Sequence, residues 1–196
     1  MNKKIVLIAG CLATLTAIGV AHAQGKRPLR VVPEVHLSRY AGQWYEIARF
    51  PNRFQKRCAG EVTAQYTVQL SGKISVLNRC RLESGEQIEA QGVAPVAGKG
   101  QPNSILKVRF APAFLSFIPQ VWGDYQIIAL SPDYTYALVG DPAREYLWIL
   151  SRSRQMDDAT YNNSPMKLER RVSTSAGCRR RGVGILAHKN VGSSDV

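Results

Sequence analysis

The chain has 196 residues, of which 45% are hydrophobic and 20% charged, a composition that suits one folded domain and excludes a disordered chain. Its formal net charge is +12, and such a charge can indicate a nucleic-acid or an anionic-lipid partner. Much of this positive charge lies near the N-terminus and the C-terminus. The part of the chain between them contains no RNA-binding signature and no basic recognition helix. We therefore expect no nucleic-acid partner.

Residues 1–23 predict an export signal. Lys3 and Lys4 precede an apolar run from Ile5 to Val20, and Ala21-His22-Ala23 is a small-x-small cleavage site. The run is shorter than the roughly 20 apolar residues that a membrane-spanning helix needs. A second interpretation stays open, because Ile8-Ala9-Gly10-Cys11 resembles a bacterial lipobox, in which Cys11 would be lipidated. Both interpretations predict an exported chain, located in the periplasm or at the outer membrane.

Residues 24–38 form an N-terminal arm in which Pro28 and Pro33 discourage regular structure, and a short helical turn is predicted around Val35–Tyr40. Short segments of alternating apolar and polar residues follow, separated by turn residues. The predicted strands span residues 43–50, 61–70, 73–81, 86–96, 104–110, 124–130, 135–140 and 146–152. Eight strands joined in sequence are typical of an all-β, antiparallel, up-and-down barrel. We place this barrel domain at residues 24–161.

The regular pattern weakens after Arg152. Asp157 and Asp158 favour the first turn of a helix, and residues 162–165 end it. From residue 162 to residue 196 the chain shows neither a helical nor a strand period and is rich in Arg, Ser and Gly. We therefore predict a truncated C-terminal helix followed by a basic, mostly disordered tail.

Few residues in the predicted strands could support catalysis. The three histidines, His22, His36 and His188, lie in the signal, the arm and the tail, so the barrel strands offer none for a Ser-His-Asp or Cys-His unit. No Cys/His cluster predicts a zinc site, and no Gly-rich loop has the phosphate-binding form. We expect no metal and no cofactor. Glu46 is the best-placed carboxylate, and one inward carboxylate alone does not define an enzyme.

Three segments resemble the three motifs of the lipocalin family, specifically the branch of bacterial outer-membrane lipocalins and apolipoprotein D. They are Gly42-x-Trp44-Tyr45-Glu46-Ile47-Ala48-Arg49, the run Gly123–Leu130 and the run Tyr146–Arg152, in this order. The resemblance covers about residues 34–160. It implies an eight-stranded barrel, closed at one end and open at the other, that holds a lipophilic ligand.

The resemblance also implies roles for individual residues. Trp44 would close the floor of the barrel, with the Arg152 guanidinium lying over its indole ring. If Arg152 points inward, alternate residues of each strand should line the interior, and small inward residues (Ala48, Ala64, Ala90 and Gly92) should leave room for a cavity. A solid core is the alternative. The predicted ligand-binding set is Tyr66, Asn78 and Trp148, which match ligand-contacting positions of related lipocalins, together with Val76, Val108, Phe110, Tyr136 and Tyr146.

The open rim carries two further predictions. With Trp44 at the closed end, the strand directions place Cys58 and Cys80 near the open end, where we expect a disulfide, and Cys178 is left as an odd thiol. The loop 111–122 at the same rim predicts either a contact with a membrane or a second subunit, or a lid folded over the mouth. Its apolar residues are Phe114, Leu115, Phe117, Ile118 and Trp122, and the neighbouring cations Arg53, Lys56 and Arg57 could meet anionic head groups.

The C-terminal end departs from the family. Lipocalins follow the third motif with a longer helix packed on the barrel wall and then a short closing strand, whereas here Asn162-Asn163-Ser164-Pro165 interrupts the helix. We expect the outer wall near Leu147 and Ile149 to be left uncovered. The loss of pattern predicts a divergent tail or a change of reading frame.

The leading functional hypothesis is a binding protein, not an enzyme. It would carry or store fatty acids, phospholipids or lysophospholipids at the bacterial cell envelope by burying acyl chains in the barrel. One alternative is an enzyme that acts on a lipophilic substrate inside the barrel, with Glu46 as its acid. Another is a structural envelope protein with a filled barrel.

Overall fold

A computed structural model describes residues 28–163 and 179–180. The barrel strands are β1 (Gly42–Arg49), β2 (Gly60–Val68), β3 (Ile74–Arg81), β4 (Gln87–Ala94), β5 (Ile105–Val108), β6 (Gly123–Leu130), β7 (Tyr136–Gly140) and β8 (Leu147–Ser151). Two short helices, α1 (Leu37–Tyr40) and α2 (Asp158–Asn163), flank them, and two 3₁₀ turns (Ala113–Leu115 and Pro119–Val121) lie between β5 and β6. The predicted export signal and lipobox lie outside the described residues.

The eight strands form a nearly closed antiparallel barrel, which confirms the predicted fold class. Their order in the sheet is β4-β3-β2-β1-β8-β7-β6-β5. The seam between β4 and β5 is closed by two isolated bridges, Val93 with Arg109 and Val96 with Leu106. At the first bridge, each residue's amide donates to the other's carbonyl at 3.0 Å. Because strands that follow one another in the chain are neighbours in the sheet, each connection stays at one end of the barrel.

The two ends of the barrel follow from the strand directions. Turns 69–73, 95–104 and 131–135 lie at the end where β1 begins, beside α1. Loops 50–59, 82–86, 109–122 and 141–146 lie at the opposite end. We call these the closed end and the open end. Among the residues described, no helix has the length and apolar character that crossing a membrane requires.

A bulge in β1 changes which of its side chains face the interior. The pairing with β8 runs from Glu46 opposite Leu150 to Ala48 opposite Ile149, so β1 has one extra residue. Leu150 belongs to the inner core, whereas Ala48 and Ile149 belong to a separate cluster on the outer wall. The expectation that Ala48 faces the interior is therefore wrong, because the bulge reverses the alternation after Glu46.

The outer wall beside β8 is covered. Leu147 and Ile149 are only 5% and 1% exposed, and they pack in one cluster with Met156 and Tyr161 from the segment around α2. The Asp157 carboxylate accepts a hydrogen bond from the Thr160 amide at 2.8 Å, which caps this helix. The expectation of an uncovered wall is wrong, because Tyr161 of the short α2 and Met156, which precedes it, cover this part of the wall.

Two residues of the predicted tail have regular structure. Arg179–Arg180, here β9, pairs antiparallel with β1, with Arg180 opposite Ala48 and Arg179 opposite Arg49. The pairing occupies the part of β1 that lies beyond its ladder with β2, which ends at Tyr45. The expectation of a tail without regular structure does not hold for these two residues, because β1 offers a free edge there. The other tail residues lie outside the described part of the chain.

Candidate functional site

The closed end is held by Arg152. Its guanidinium carbon lies 3.9 Å from the ring centroid of Trp44, which is fully buried. Its Nη atoms donate to the carbonyl oxygens of Arg39, Ala41 and Gln43 at 2.7, 2.8 and 2.8 Å. Because the charged fork binds the segment that leads directly into Trp44 and also lies over the ring, the indole is fixed across the floor.

Gly42 is required at the start of β1. Its φ is +96°, a conformation that side chains rarely adopt, and a Cβ placed there would lie 3.2 Å from an Nη atom of Arg152. The glycine of the first motif therefore makes space for the arginine that follows the last strand.

Three tyrosines form a hydrogen-bonded cluster above this floor. The Tyr125 hydroxyl lies 2.7 Å from that of Tyr40 and 2.9 Å from that of Tyr66. Burial raises the pKa of Tyr66 to about 12, and it raises the pKa of Tyr40 and of Tyr125 well above the usual value. The structure thus places Tyr66, a predicted ligand contact, in the packed lower core, where its side chain is 4% exposed.

The inner faces of four strands change from buried to accessible part-way up the barrel. Towards the closed end the inner residues Val76, Gly92, Leu106 and Leu150 are buried. The next inner residue of each strand towards the open end is more accessible. Asn78 on β3, Val108 on β5 and Trp148 on β8 are partly buried, and Ala90 on β4 is exposed. The lower half of the interior is therefore packed, and the upper half opens towards the mouth.

Aromatic rings surround this upper half. The Phe110 ring lies against Gly92, where an added Cβ would come within 2.8 Å of its Cδ1 atom. On the other side Tyr146 stacks on Trp148 with centroids 5.8 Å apart, and Phe54 contacts Tyr146 at 5.4 Å. Five predicted ligand contacts are thus found here: Asn78, Val108, Phe110, Tyr146 and Trp148. Val76 lies just below them.

Tyr136 does not fit the predicted binding set. It packs against the outer-wall cluster, whereas its strand neighbour Ala137 and the next alternate residue Val139 belong to the inner core. The alternation of a strand sends Tyr136 to the face opposite Ala137. Tyr136 therefore lies on the outside of the barrel, and its inclusion is corrected here.

A polar cluster lies inside the mouth on the β1–β8 wall. Glu46 is 5% exposed and accepts a hydrogen bond from Arg49, and the Gln55 Nε2 donates to its Oε2 at 2.6 Å. The Gln55 Oε1 accepts from the Trp148 Nε1 at 2.9 Å and from the Asn52 Nδ2 at 2.9 Å. Glu46, the residue considered as an enzyme's acid, is thus held in an ion pair.

Sequence reasoning missed Gln55 and Arg49 as site residues. Gln55 lies in a loop without periodicity, and its partner Trp148 is 93 positions away in the sequence. Arg49 was placed in the first motif, but the motif gives no sign that the bulge turns its side chain inward. A basic residue at the end of a predicted strand is no signal by itself, so only the fold reveals this cluster.

The predicted disulfide is present at the open rim. Cys58 and Cys80 are bonded, with their Cα atoms 5.6 Å apart. The bond ties the loop 50–59 to the end of β3, so the loop that carries Gln55 is anchored on its C-terminal side.

The rim loop 111–122 displays two phenylalanines. Phe114 and Phe117 are 74% and 79% exposed. The loop has structure of its own, because the Trp122 Nε1 donates to the Ser116 carbonyl at 2.8 Å and the Arg109 guanidinium lies 5.2 Å from the Trp122 ring. Leu115 and Ile118 of the same loop are half-buried. A loop folded over the mouth as a lid would bury Phe114 and Phe117, so their exposure favours a contact surface.

Solved structures share this architecture at low sequence identity. Apocrustacyanin C2 superimposes with a TM-score of 0.55 at 16% identity, covering 76% of this chain and 81% of that one. Insecticyanin from the tobacco hornworm Manduca sexta gives 0.54 at 19% identity, covering 79% and 84%. At such identities the likeness shows the fold, an eight-stranded barrel with a closed and an open end.

Sequence relatives define the family. The lipocalin-like domain model matches residues 35–175, past the predicted domain end at residue 161. Temperature-induced lipocalin-1 of Arabidopsis thaliana is 44% identical over 137 residues, which cover 69% of this chain and 73% of that protein. Outer membrane lipoprotein Blc of Escherichia coli K12 is 35% identical over 157 residues, covering 80% and 84%. The chain belongs to the lipocalin family, whose members bind small hydrophobic ligands.

Proposed function

We propose that this protein binds fatty acids, phospholipids or lysophospholipids in the upper half of its barrel and carries or stores them at the bacterial cell envelope. The observation that carries the proposal is the change from buried to accessible inner residues at Asn78, Ala90, Val108 and Trp148. An acyl chain there would gain about 25 cal/mol for each Å² of apolar surface removed from water. The name of the Escherichia coli relative, an outer membrane lipoprotein, supports the envelope location.

Binding of a fluorescent fatty acid to purified protein tests the site. We expect saturable binding, and we expect Ala90→Phe to weaken it at least about tenfold, because the new ring would fill space that the ligand needs. Gln91→Phe is the matched control, since Gln91 neighbours Ala90 on the same strand and faces outward. Unchanged binding by Ala90→Phe would place the ligand elsewhere. No binding by the wild-type protein would support the filled-barrel hypothesis instead.

Mass spectrometry of lipids that co-purify with the protein would identify the natural ligand class. We expect acyl lipids in a fixed ratio to the wild-type protein and a clear loss of them from Ala90→Phe. Equal amounts in both preparations would show that the lipids adhere to the outside of the protein.

We infer a binding role and not a catalytic one. The buried Glu46 is engaged by Arg49 and Gln55, which suits a carboxylate that organises the mouth. The relatives named as lipocalins and as an outer membrane lipoprotein support the same interpretation. Turnover of a lipid ester that is lost in Glu46→Gln while binding persists would overturn it.

The second part of the proposal is that the open rim contacts the outer-membrane surface. Phe114 and Phe117 are exposed on a loop with its own internal hydrogen bonds, so contact would cost little ordering entropy. The exposed Arg53, Lys56 and Arg57 on the loop 50–59 at the same end add positive charge, each worth about 1 kcal/mol near an anionic surface.

Flotation with vesicles that contain anionic phospholipid tests this contact. We expect the wild-type protein to float with the vesicles and Phe114→Ser/Phe117→Ser to remain in solution. A homodimer formed through the same rim is the other outcome, and it would show as a halved molecular mass of the double variant in light scattering. An unchanged double variant in both measurements would overturn the assignment of this rim.

A further inference from the structure

Arg109 is a buried cation at the base of the rim loop 111–122. The residue is only 9% exposed, and it directly follows the last residue of β5. One of its Nη atoms donates to the Ala111 carbonyl, and its guanidinium carbon lies 5.2 Å from the centroid of the Trp122 ring. Arg109 therefore contacts both ends of the loop that carries the two exposed phenylalanines.

No acid compensates the charge of this guanidinium. Among the described residues no carboxylate forms an ion pair with Arg109, and its Nε atom is covered without a hydrogen-bond partner. An arginine stays protonated in proteins, and a buried cation without a counter-ion is costly. Lys107, two residues earlier on the same face, differs because it is paired with Asp124. The rim thus keeps one buried positive charge that an anion would balance.

The free donors of Arg109 suit a phosphate group. One Nη atom serves the Ala111 carbonyl, so the Nε atom and the other Nη atom remain as a pair of donors that can bind two phosphate oxygens. We propose that Arg109 binds the phosphate of an anionic membrane phospholipid when the rim contacts a membrane. Because Nε is covered in this structure, the second hydrogen bond requires a small movement of the side chain or of the loop. The proposal rests on the proposed membrane contact and names the head group that this contact selects.

The position of Arg109 fits a membrane lipid better than a free anion. Phe114 and Phe117, on the loop above it, are 74% and 79% exposed. If these rings enter the acyl region of a membrane, the base of the loop lies at the level of the head groups, where the phosphates are. The exposed cations of the loop 50–59 at the same end attract an anionic surface from a distance, whereas Arg109 offers a buried contact to a single head group.

Flotation with two kinds of vesicle tests the site, one of phosphatidylcholine alone and one that also contains phosphatidylglycerol. On the phosphatidylglycerol vesicles we expect Arg109→Gln to lower the partition coefficient about tenfold, since the contact between guanidinium and phosphate is lost. Lys107→Gln is the matched control. It removes the same charge from the same face, but from an existing ion pair, and should change partition by no more than about twofold. On phosphatidylcholine, whose own ammonium balances its phosphate, both variants should match the wild-type protein.

Arg109→Lys gives an independent measurement if Arg109→Gln does not fold. It keeps the charge but lacks the paired donors, and it should weaken partition to the phosphatidylglycerol vesicles about threefold. Unchanged partition of Arg109→Lys, or equal partition of Arg109→Gln and Lys107→Gln, would overturn the proposal. An equal loss by Arg109→Gln on both kinds of vesicle would also overturn it, because Arg109 would then only hold the loop in place. Failure of the wild-type protein to bind either vesicle would instead refute the membrane contact itself.

Discussion

The two ends of the barrel use polar residues in opposite ways. At the closed end, Arg152 donates to backbone carbonyl groups of α1 and β1 and covers the fully buried Trp44. At the open end, Glu46, Gln55 and Trp148 bind one another through their side chains, next to exposed aromatic rings. At the closed end the hydrogen bonds thus run from a side chain to the backbone, whereas at the open end they join side chains to one another.

The difference teaches where stability and binding are located. Removal of Arg152 takes away several charge-assisted hydrogen bonds and the cation–π contact with Trp44 at once, so it costs free energy of unfolding. At the open end the hydrogen bonds of Gln55 join side chains of one strand pair to a loop, next to the accessible half of the interior. We therefore expect variants at the closed end to change stability and variants at the open end to change binding.

The largest expected effect is at the floor. Trp44→Ala should lower the free energy of unfolding by about 4 kcal/mol, because it leaves a large cavity, and Arg152→Ala by about 3 kcal/mol. Urea denaturation measures both. Arg152→Lys keeps the charge and is the control. It should recover little of the lost free energy of unfolding, since an ammonium group lacks the planar, multiply donating shape of a guanidinium. If Arg152→Ala has normal stability but a much lower affinity for lipid, the closed end determines binding and not stability, and the expectation is wrong.

The disulfide should have the next largest effect, and it is the exception at the open end. Cys58→Ser/Cys80→Ser should cost about 3 kcal/mol, since the bond joins residues 22 positions apart and restricts the unfolded chain. Chemical denaturation of the double variant and of the reduced wild-type protein should agree. Cys178→Ser is the control and should match the wild type. If the double variant is as stable as the wild type but binds lipid poorly, the disulfide serves only to position the loop 50–59.

Alkaline pH should weaken the tyrosine cluster above the floor. The pKa of Tyr66 is raised from 10.0 to about 12, so the folded state holds a proton that the unfolded state has released. Its contribution is complete below pH 10 and is lost as the pH rises through about 12, at up to about 1.4 kcal/mol per pH unit. Urea denaturation across this range should show a shallower decline for Tyr66→Phe. Identical slopes would mean that the Tyr66 hydroxyl is not buried in solution.

The smallest effect on stability is expected at the rim. Phe114→Ser/Phe117→Ser should keep the free energy of unfolding within about 0.5 kcal/mol of the wild type, since both rings are exposed. Thermal and urea denaturation measure it. A loss of several kcal/mol would show that the rings pack on the barrel as a lid. It would contradict the expectation that variants at the open end leave stability unchanged.

Much of the fold could be predicted because its signals are local. Alternating residues such as Val62, Ala64 and Tyr66 predicted strand β2, and the directions of successive strands placed Cys58 next to Cys80. The contact between Trp44 and Arg152 followed from the resemblance of the first and last motifs to the lipocalin pattern, and the geometry agrees with it.

The errors have a common physical origin. Alternation assigns faces only while the ladder is regular, so the bulge after Glu46 sent Ala48 outward and Arg49 inward. Tyr136 was included in the binding set, although its register with Ser151 puts it on the outer face. Helix length was used to judge the outer wall, but Met156 precedes the helix and still covers it.

By itself, the sequence determined the eight strands, the floor, the disulfide and the family. Each of these features is encoded in a short segment of the chain, either by alternating residues or by a motif. Only the tertiary structure decided how deep the open interior extends, which face Arg49 takes, and that Gln55 lies between Glu46 and Trp148. The physical reason is that these features arise from packing between residues far apart in the chain, whose meeting depends on one bulge and on the path of one loop.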